Sequence, residues 1–472
     1  MKLIKIVVVM VLFGACGEKR NPDRCCVDEA DCAAIGLPNG STCRPGELCR
    51  GNECVEQTCS MSAECDPAAP YCENERCAEN CTNDSSCPVT SPAQPYCVSG
   101  GCVQCRDTSD CGDLVCRDGR CGNCAADGEC ASGLCLISAG LCAATTDVAF
   151  VSATGSPTSN CTSSAPCTLL RALSIDPPRK TIRLQAGTYQ NASTITIEGM
   201  RVVVGEDMGN TRITNLGTGP VFVVGTGADI AMERLEIFGA TNGGMLGVGV
   251  QCTSGKLRLT QVRLANHASD GVASSCELSI GQSTLTGNGS FGARVSGDGT
   301  VKYLIERSTV SNNTAGGVKA TGGGTIRNVF VLQTAGTGLD LEGSGVVSTR
   351  PTVDFVSIGS GGGMAVRCTN DFSGGSIPVT NVVVQGFADN PQIGVNRVCT
   401  FSTCVQPPGS PAVPGCTASQ ALVFLSSDNL HLNPSFDNPA INGASGGTGL
   451  LDIDGEQRPK GTAADIGADE AL

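Results

Sequence analysis

Short runs of alternating apolar and polar residues, each opened by a glycine, fill the middle of this chain of 472 residues. Gly247, Gly271, Gly292, Gly317, Gly338 and Gly363 recur at intervals of 24, 21, 25, 21 and 25 residues, a spacing that signals one supersecondary unit per repeat. The first position after each glycine reads Val248, Val272, Ala293, Val318, Leu339 and Met364, and the third reads Val250, Ser274, Val295, Ala320, Leu341 and Val366. A two-residue period of this kind predicts a strand with these positions facing inward. Coils stacked ~4.8 Å apart then set like residues above one another in internal columns. A second strand ends in RLEIFG, QVRLAN, QSTLTG, RSTVSN and NVFVLQ. Behind it come Asn242, Asn266 and Asn312, five residues before the glycine, with Asn288 one place displaced. They suit a tight turn whose side-chain amides bond along the stack. In this register Cys252 and Cys276 each fall five residues past a glycine on adjacent coils, so a disulfide between them is expected.

Two other patterns precede the repeats. Ile6 to Phe13 is one continuous apolar run, preceded by Lys2 and Lys5 and closed by Gly14 and Ala15, the plan of a secretory signal peptide. It is far shorter than the ~20 residues a membrane-spanning helix needs. Of 31 cysteines, 22 then lie between Cys25 and Cys142. They form five units: Cys26, Cys32, Cys49, Cys54; Cys59, Cys65, Cys72, Cys77; Cys81, Cys87, Cys97, Cys102; Cys105, Cys111, Cys116, Cys121; and Cys124, Cys130, Cys135, Cys142. Cys25 and Cys43 are an extra pair. Units so small cannot bury enough surface to fold alone, and export favours disulfide staples. Four cysteines allow three pairings, and spacing does not choose among them. The C-x2-C pairs at Cys102 to Cys105 and Cys121 to Cys124 have zinc-like spacing. Each straddles two units, however, and the region has no histidine, so disulfides are the expectation.

Composition narrows the picture. With 62 glycines, no Trp and four Tyr, the core must be packed repetitively from small and β-branched side chains. The net charge of -14, more negative still once Lys2 and Lys5 leave with the leader, disfavours nucleic acid and anionic lipid as partners.

Several segments resemble known families. LFGAC, ending at Cys16, resembles the lipobox of bacterial lipoproteins; this implies that residues 1–15 are removed and Cys16 is acylated, with 16–24 as a linker. Gly17 in place of Asp implies the outer membrane and surface exposure. Residues 25–144 resemble short Cys-rich repeats, distantly EGF-like or Dickkopf-like, and read equally as a recognition module or a stiff stalk. From 145 to 440 the chain resembles right-handed parallel β-helices of the pectin-lyase-like group, through VAFVSATGSPTSNCTSSAPCTLLRAL, IRLQAGTY and VVVGED. That implies an all-β solenoid with an opening strand and a capping helix. Residues 441–472, with DIDGEQRPKGTAADIGADE, resemble the choice-of-anchor Q motif. Asp452, Asp454 and Glu470 fall short of a recognised calcium loop; a closing turn pinned by Arg458 to a nearby carboxylate is expected.

The pectin-lyase-like group includes lyases and hydrolases, which sets a chemical test. Polygalacturonase-type hydrolases pair carboxylates in an Asp-Asp motif, and this chain has none. Lyases place an Arg or Lys base beside calcium-binding carboxylates. Here Arg294, Lys319, Asp340, Glu342 and Arg367 occupy outward positions of one sheet across four coils. They supply a base and two carboxylates for a lyase, with calcium as its cofactor, or else a salt-bridge ladder worth little per pair. Sugar-stacking aromatics are scarce, and Tyr189 and Tyr303 are the only tyrosines of the β-domain. His267 and His431 lie far apart; His267, beside Asn266 and Asp270, reads as a polar turn residue, and no Ser-His-Asp arrangement is marked. The expectation is a non-enzymatic surface lipoprotein, membrane-anchored through its lipid, displaying a β-helix to an extracellular polysaccharide or surface protein. A divergent lyase or hydrolase of acidic polysaccharide is the alternative.

Overall fold

The computed structural model describes residues 80–87, 94–240 and 247–471, apart from 299, 344–348, 370–375, 386–398, 409–412, 420–422 and 435–436. It also gives the backbone of four earlier strands, Glu47–Arg50, Glu53–Glu56, Tyr71–Glu73 and Arg76–Ala78. The leader, Cys16, the linker and Asn242 lie outside the described residues. Two compact units are present. One runs to Asn123 and includes Glu129–Ala131; the other comprises Cys124–Gly128 and everything from Ser132.

Every cysteine unit contributes a two-stranded antiparallel hairpin that sets its third and fourth cysteines directly opposite each other. The pairs are Cys49 with Cys54, Cys72 with Cys77, Cys97 with Cys102, Cys116 with Cys121 and Cys135 with Cys142. In the third and fourth units the facing cysteines do not bond to each other. The first joins the third and the second joins the fourth, as Cys81–Cys97 with Cys87–Cys102 and Cys105–Cys116 with Cys111–Cys121. Each hairpin is thus tied to the short turn before it. Asn83 and Asp107 cap those turns by accepting the N–H of Ser85 and Ser109 at 3.0 and 2.8 Å. Both C-x2-C pairs are consumed in these bonds.

The compact-unit boundary lies earlier than residue 145. Most of the last cysteine unit, Cys124–Gly128 and the residues from Ser132, belongs to the solenoid's compact unit. Glu233, fully buried, accepts the backbone N–H of Ile137 and Ser138 at 2.8 and 3.0 Å. Arg234 reaches Asp127 at 2.9 Å, and Leu134 and Ala143 pack with Val148 and Val204.

The second unit is an all-β, right-handed parallel solenoid. Eight short strands stack in register as one sheet, and longer strands stack as another of fifteen, which begins at Val148–Ser156. A capping helix, Leu169–Ser174, starts at Thr168, whose hydroxyl accepts the Arg171 N–H, and buries Leu169 and Ala172. Each long strand bends at one residue, giving the coil its third side. Arg234, Gln261, Gln282, Arg307, Asn328, Phe355, Asn381 and Thr403 occupy these bends with φ between 47 and 58°. A left-handed residue turns the strand sharply without ending its ladder of hydrogen bonds.

The inward column of the eight-stranded sheet is Phe222, Val250, Val272, Ala293, Val318, Leu339 and Val366, all fully buried. The four middle coils follow the glycine register. At both ends it slips by two: Val250, not Val248, pairs with Val272, and Val366, not Met364, pairs with Leu339. The physical markers are therefore Gly249, Gly271, Gly292, Gly317 and Gly338, completed by Ala365. A Cβ on Gly271 would lie 2.6 Å from the carbonyl oxygen of Gly292, and one on Gly317 would lie 2.5 Å from that of Gly338. Backbone fills the space a side chain would need. Cys252 faces Ser274 rather than Cys276, yet Cys252 and Cys276 are joined diagonally, with Cα atoms 5.7 Å apart.

The polar stack lies one residue beyond the anticipated asparagines. Asn266 and Asn312 supply left-handed backbone, while the buried rungs are His267, Asn288 and Asn313. Asn313 Oδ1 accepts the backbone N–H and the amide of Asn288 at 3.0 and 2.9 Å. Asn288 Oδ1 accepts the His267 N–H at 3.2 Å. His267, in the connection between two strands, is thus also a buried core rung.

The closing segment covers the outer face of the third side. Phe330, Leu332, Val383 and Val405 form a second core with Val423, Phe424, Leu430, Leu432, Ile466 and Ala468. Arg458 pins this segment: it is 2% exposed, bonds Glu470 at 3.0 Å, and lies over the Phe355 ring.

Candidate functional site

The outward row of the eight-stranded sheet runs Gln251, Ala273, Arg294, Lys319, Asp340, Arg367. The two-residue slip at the last coil moves Arg367 out of the Glu342 row and sets it directly beside Asp340. Its Nε and Nη2 donate to both carboxylate oxygens at 2.9 and 2.6 Å. Lys319 Nζ approaches the same carboxylate at 4.0 Å. Asp340 points outward yet is only 2% exposed. Arg294 turns the other way, to buried Asp270 at 2.8 Å and to Ser290. Glu342 lies in the next row between Thr321 and Thr369, accepting the Thr321 hydroxyl at 3.4 Å.

A lyase base must be free to take a proton while carboxylates converge on the cation that neutralises the sugar acid. On this face both arginines are committed to aspartates, and Lys319 faces a carboxylate that Arg367 already holds. The structure brings Lys319, Asp340 and Arg367 together. It leaves Arg294 with a different partner and Glu342 in the neighbouring row. A depression of about 310 Å³ lies over Arg294, Lys319, Ser275 and Thr321.

A second charged face was not apparent from the glycine register, because it lies on the first half of each long strand. There Lys256 stacks between Asp229 and Glu277, Arg258 between Ala231 and Ser279, and Glu306 between Gly281 and Arg327. A groove of about 430 Å³ runs over Lys256, Arg258, Lys302 and Arg327. It adjoins another of about 240 Å³ bounded by Ser138, Gln282 and Arg307, with Arg258 and Ser279 common to both. Ser279 and Gly281 keep the floor low.

Five cations thus line a path that holds two carboxylates, Glu277 and Glu306, on a chain of net charge -14. Glu277 pairs with Lys256 at 2.9 Å, Glu306 with Arg327 at 2.6 Å, and Asp229 at the rim with Arg258 at 2.6 Å. These pairs are half exposed, so each contributes little and can be exchanged for an incoming anion. Lys302 and Arg307 make no ion pair among the described residues, and the Arg307 guanidinium lies beside the neutral side-chain amide of Gln282. The sequence signal is KLRL, VKYLIER and TIRN, in which basic residues recur at outward positions of one strand column. Tyr303 is buried below the groove and donates its hydroxyl to the Gly322 carbonyl.

No helix among the described residues is long and apolar enough to cross a membrane. No family model and no curated protein matches the chain. Among solved structures it is similar to pectate lyase Pel9A, with a TM-score of 0.49 and 16% identity over 69% of this chain and 96% of that one. It is also similar to the A-module of the Azotobacter vinelandii mannuronan C-5 epimerase AlgE4, with a TM-score of 0.33 and 14% identity over 43% of this chain and 67% of that one. A pectin methylesterase in complex with a hexasaccharide gives a TM-score of 0.27 and 13% identity over 57% and 90%. The fold assignment rests on the two parallel sheets and their register: the chain is a parallel β-solenoid preceded by a disulfide-rich segment.

Proposed function

We propose that this chain is an exported lipoprotein, held to the outer membrane through Cys16, whose solenoid binds an acidic polysaccharide at the cell surface without cleaving it. The supporting observation is the groove around Arg258, where Lys302 and Arg307 pair with no carboxylate among the described residues. A uronic-acid polymer offers repeated carboxylates along an extended chain, which suits a basic row on a stack of coils. The disulfide-rich units serve as the spacer, and the choice-of-anchor Q segment closes the solenoid. The paired charges around Asp340 act as a structural ladder in this reading.

The test is binding of polygalacturonate and alginate to the full-length mature chain, alongside Lys302→Glu and Arg307→Gln. Binding should weaken at least tenfold in Lys302→Glu and should fade as salt approaches ~1 M, where the screening length is ~3 Å. Equal binding by wild type and both variants would remove the groove from the reading. Release of unsaturated products that depends on Lys319 and Asp340 would instead establish the lyase alternative.

A further inference from the structure

Away from both charged faces, the hairpin Phe424–Ser426 and Asn429–Leu432 meets the closing segment through three metal-ligating side chains. One ligand atom each from His431, Asp454 and Asp469 lie within 4.8 Å of one another. We propose that they form a zinc site that clips the closing segment to the hairpin. The zinc reading goes beyond the glycan function and does not depend on it.

Each ligand is held by its neighbours. His431 Nδ1 is hydrogen-bonded to Asn429 Oδ1, and Nε2 faces Asp454 Oδ2 at 3.0 Å. A second-shell partner on one ring nitrogen fixes the tautomer that presents a lone pair from the other. The imidazole is also seated edge-on against Phe330, with centroids 5.1 Å apart. Two donors bound to one ion at ~2.0–2.1 Å and 90–110° are themselves ~3.0–3.4 Å apart, so the His431–Asp454 edge already has the right length. Asp452 sets Asp454 in place by accepting the N–H groups of Asp454, Gly455 and Glu456 with one oxygen.

Asp469 is the buried member of the three. It is 5% exposed, and its Oδ2 takes the Leu432 N–H at 2.7 Å. Its Oδ1 has no hydrogen-bond partner among the described residues. Asp454 is half exposed and can rotate the remaining distance. One imidazole and two carboxylates, with a fourth position open to water, is a donor set that zinc accepts.

The experiment is calorimetric titration of the oxidised, chelator-stripped full-length chain with Zn²⁺ alone, with Ca²⁺ and Mn²⁺ in parallel. One equivalent of Zn²⁺ should bind, raise the thermal midpoint and be preferred over Ca²⁺. His431→Gln and Asp454→Asn, both at partly exposed positions, should keep the metal-free midpoint of the wild type while losing Zn²⁺ affinity at least tenfold. Absence of binding, or binding unchanged in both variants, would overturn the site. Ca²⁺ binding in preference to Zn²⁺ would overturn the choice of metal.

Discussion

The backbone N–H of His267 donates to the side-chain oxygen of Asn288 one coil away, at 3.2 Å, while its own Nδ1 accepts the N–H of Ala240 at 3.2 Å. An imidazole here does the work of an asparagine. Because Nδ1 accepts, Nε2 carries the proton and bonds the Ile237 carbonyl. Burial pushes the His267 pKa down to about 4. The unfolded chain takes up this proton below pH ~6.5 and the folded one does not, so stability from this group is complete above pH ~6.5. It is lost at ~1.4 kcal/mol per pH unit as the pH falls toward 4. Asp465, raised to about 6 by burial, acts in the opposite direction and favours the folded state as the pH falls through 6. The comparison that isolates His267 is therefore with His267→Asn, which should fold, keep the rung and lack the acid-dependent loss. His267→Ala should cost ~1–3 kcal/mol at neutral pH by orphaning buried donors. Urea midpoints by circular dichroism from pH 7 to 4 check both.

The bidentate pair of Asp340 and Arg367 should respond unequally to removal of its two halves. Arg367→Ala leaves a carboxylate that is 2% exposed with only Lys319, 4.0 Å away. Asp340→Ala leaves a guanidinium whose side chain is 43% exposed and can turn to water. The first should cost ~2–4 kcal/mol and the second under ~1 kcal/mol. Denaturant midpoints of the two single variants decide it; a larger loss in Asp340→Ala would contradict the buried-carboxylate account.

Removing the diagonal staple with Cys252→Ala and Cys276→Ala together should cost ~2–4 kcal/mol, as expected for a closed loop of this size. The inward columns on either side of it do not depend on the bond, so strand content by circular dichroism should be retained at 25 °C. A collapse of the β signal would mean that the bond is needed to set the coil register.

The glycine repeat made the solenoid legible because steric exclusion repeats whenever backbones stack this closely. The four middle coils follow it without adjustment. At the ends it misled by two residues: GMLGVG offers several glycines, of which contact with the next coil selects Gly249, and past GGGM the marker position is taken by Ala365 instead of a glycine. A shift of two preserves which face a residue occupies, so Val250 and Val366 were still placed inward. It does not preserve who stands beside whom, and the Asp340–Arg367 pair was hidden for that reason. Cys252 and Cys276 illustrate the same limit, since they bond across a diagonal rather than at matching positions. The groove escaped because its cations lie on strands whose bends at Gln261, Gln282 and Arg307 carry no glycine. The His431, Asp454 and Asp469 cluster joins residues 23 and 15 positions apart, two of them in an irregular segment, where no period exists to align them.

With each rung of the glycine column touching the carbonyl of the next, the molecule can lengthen only in whole steps. Duplicating one unit such as Gly271 to Phe291 would raise the stack by ~4.8 Å and leave the cross-section as it is. Length along the stack is therefore counted in coils and becomes an inherited integer.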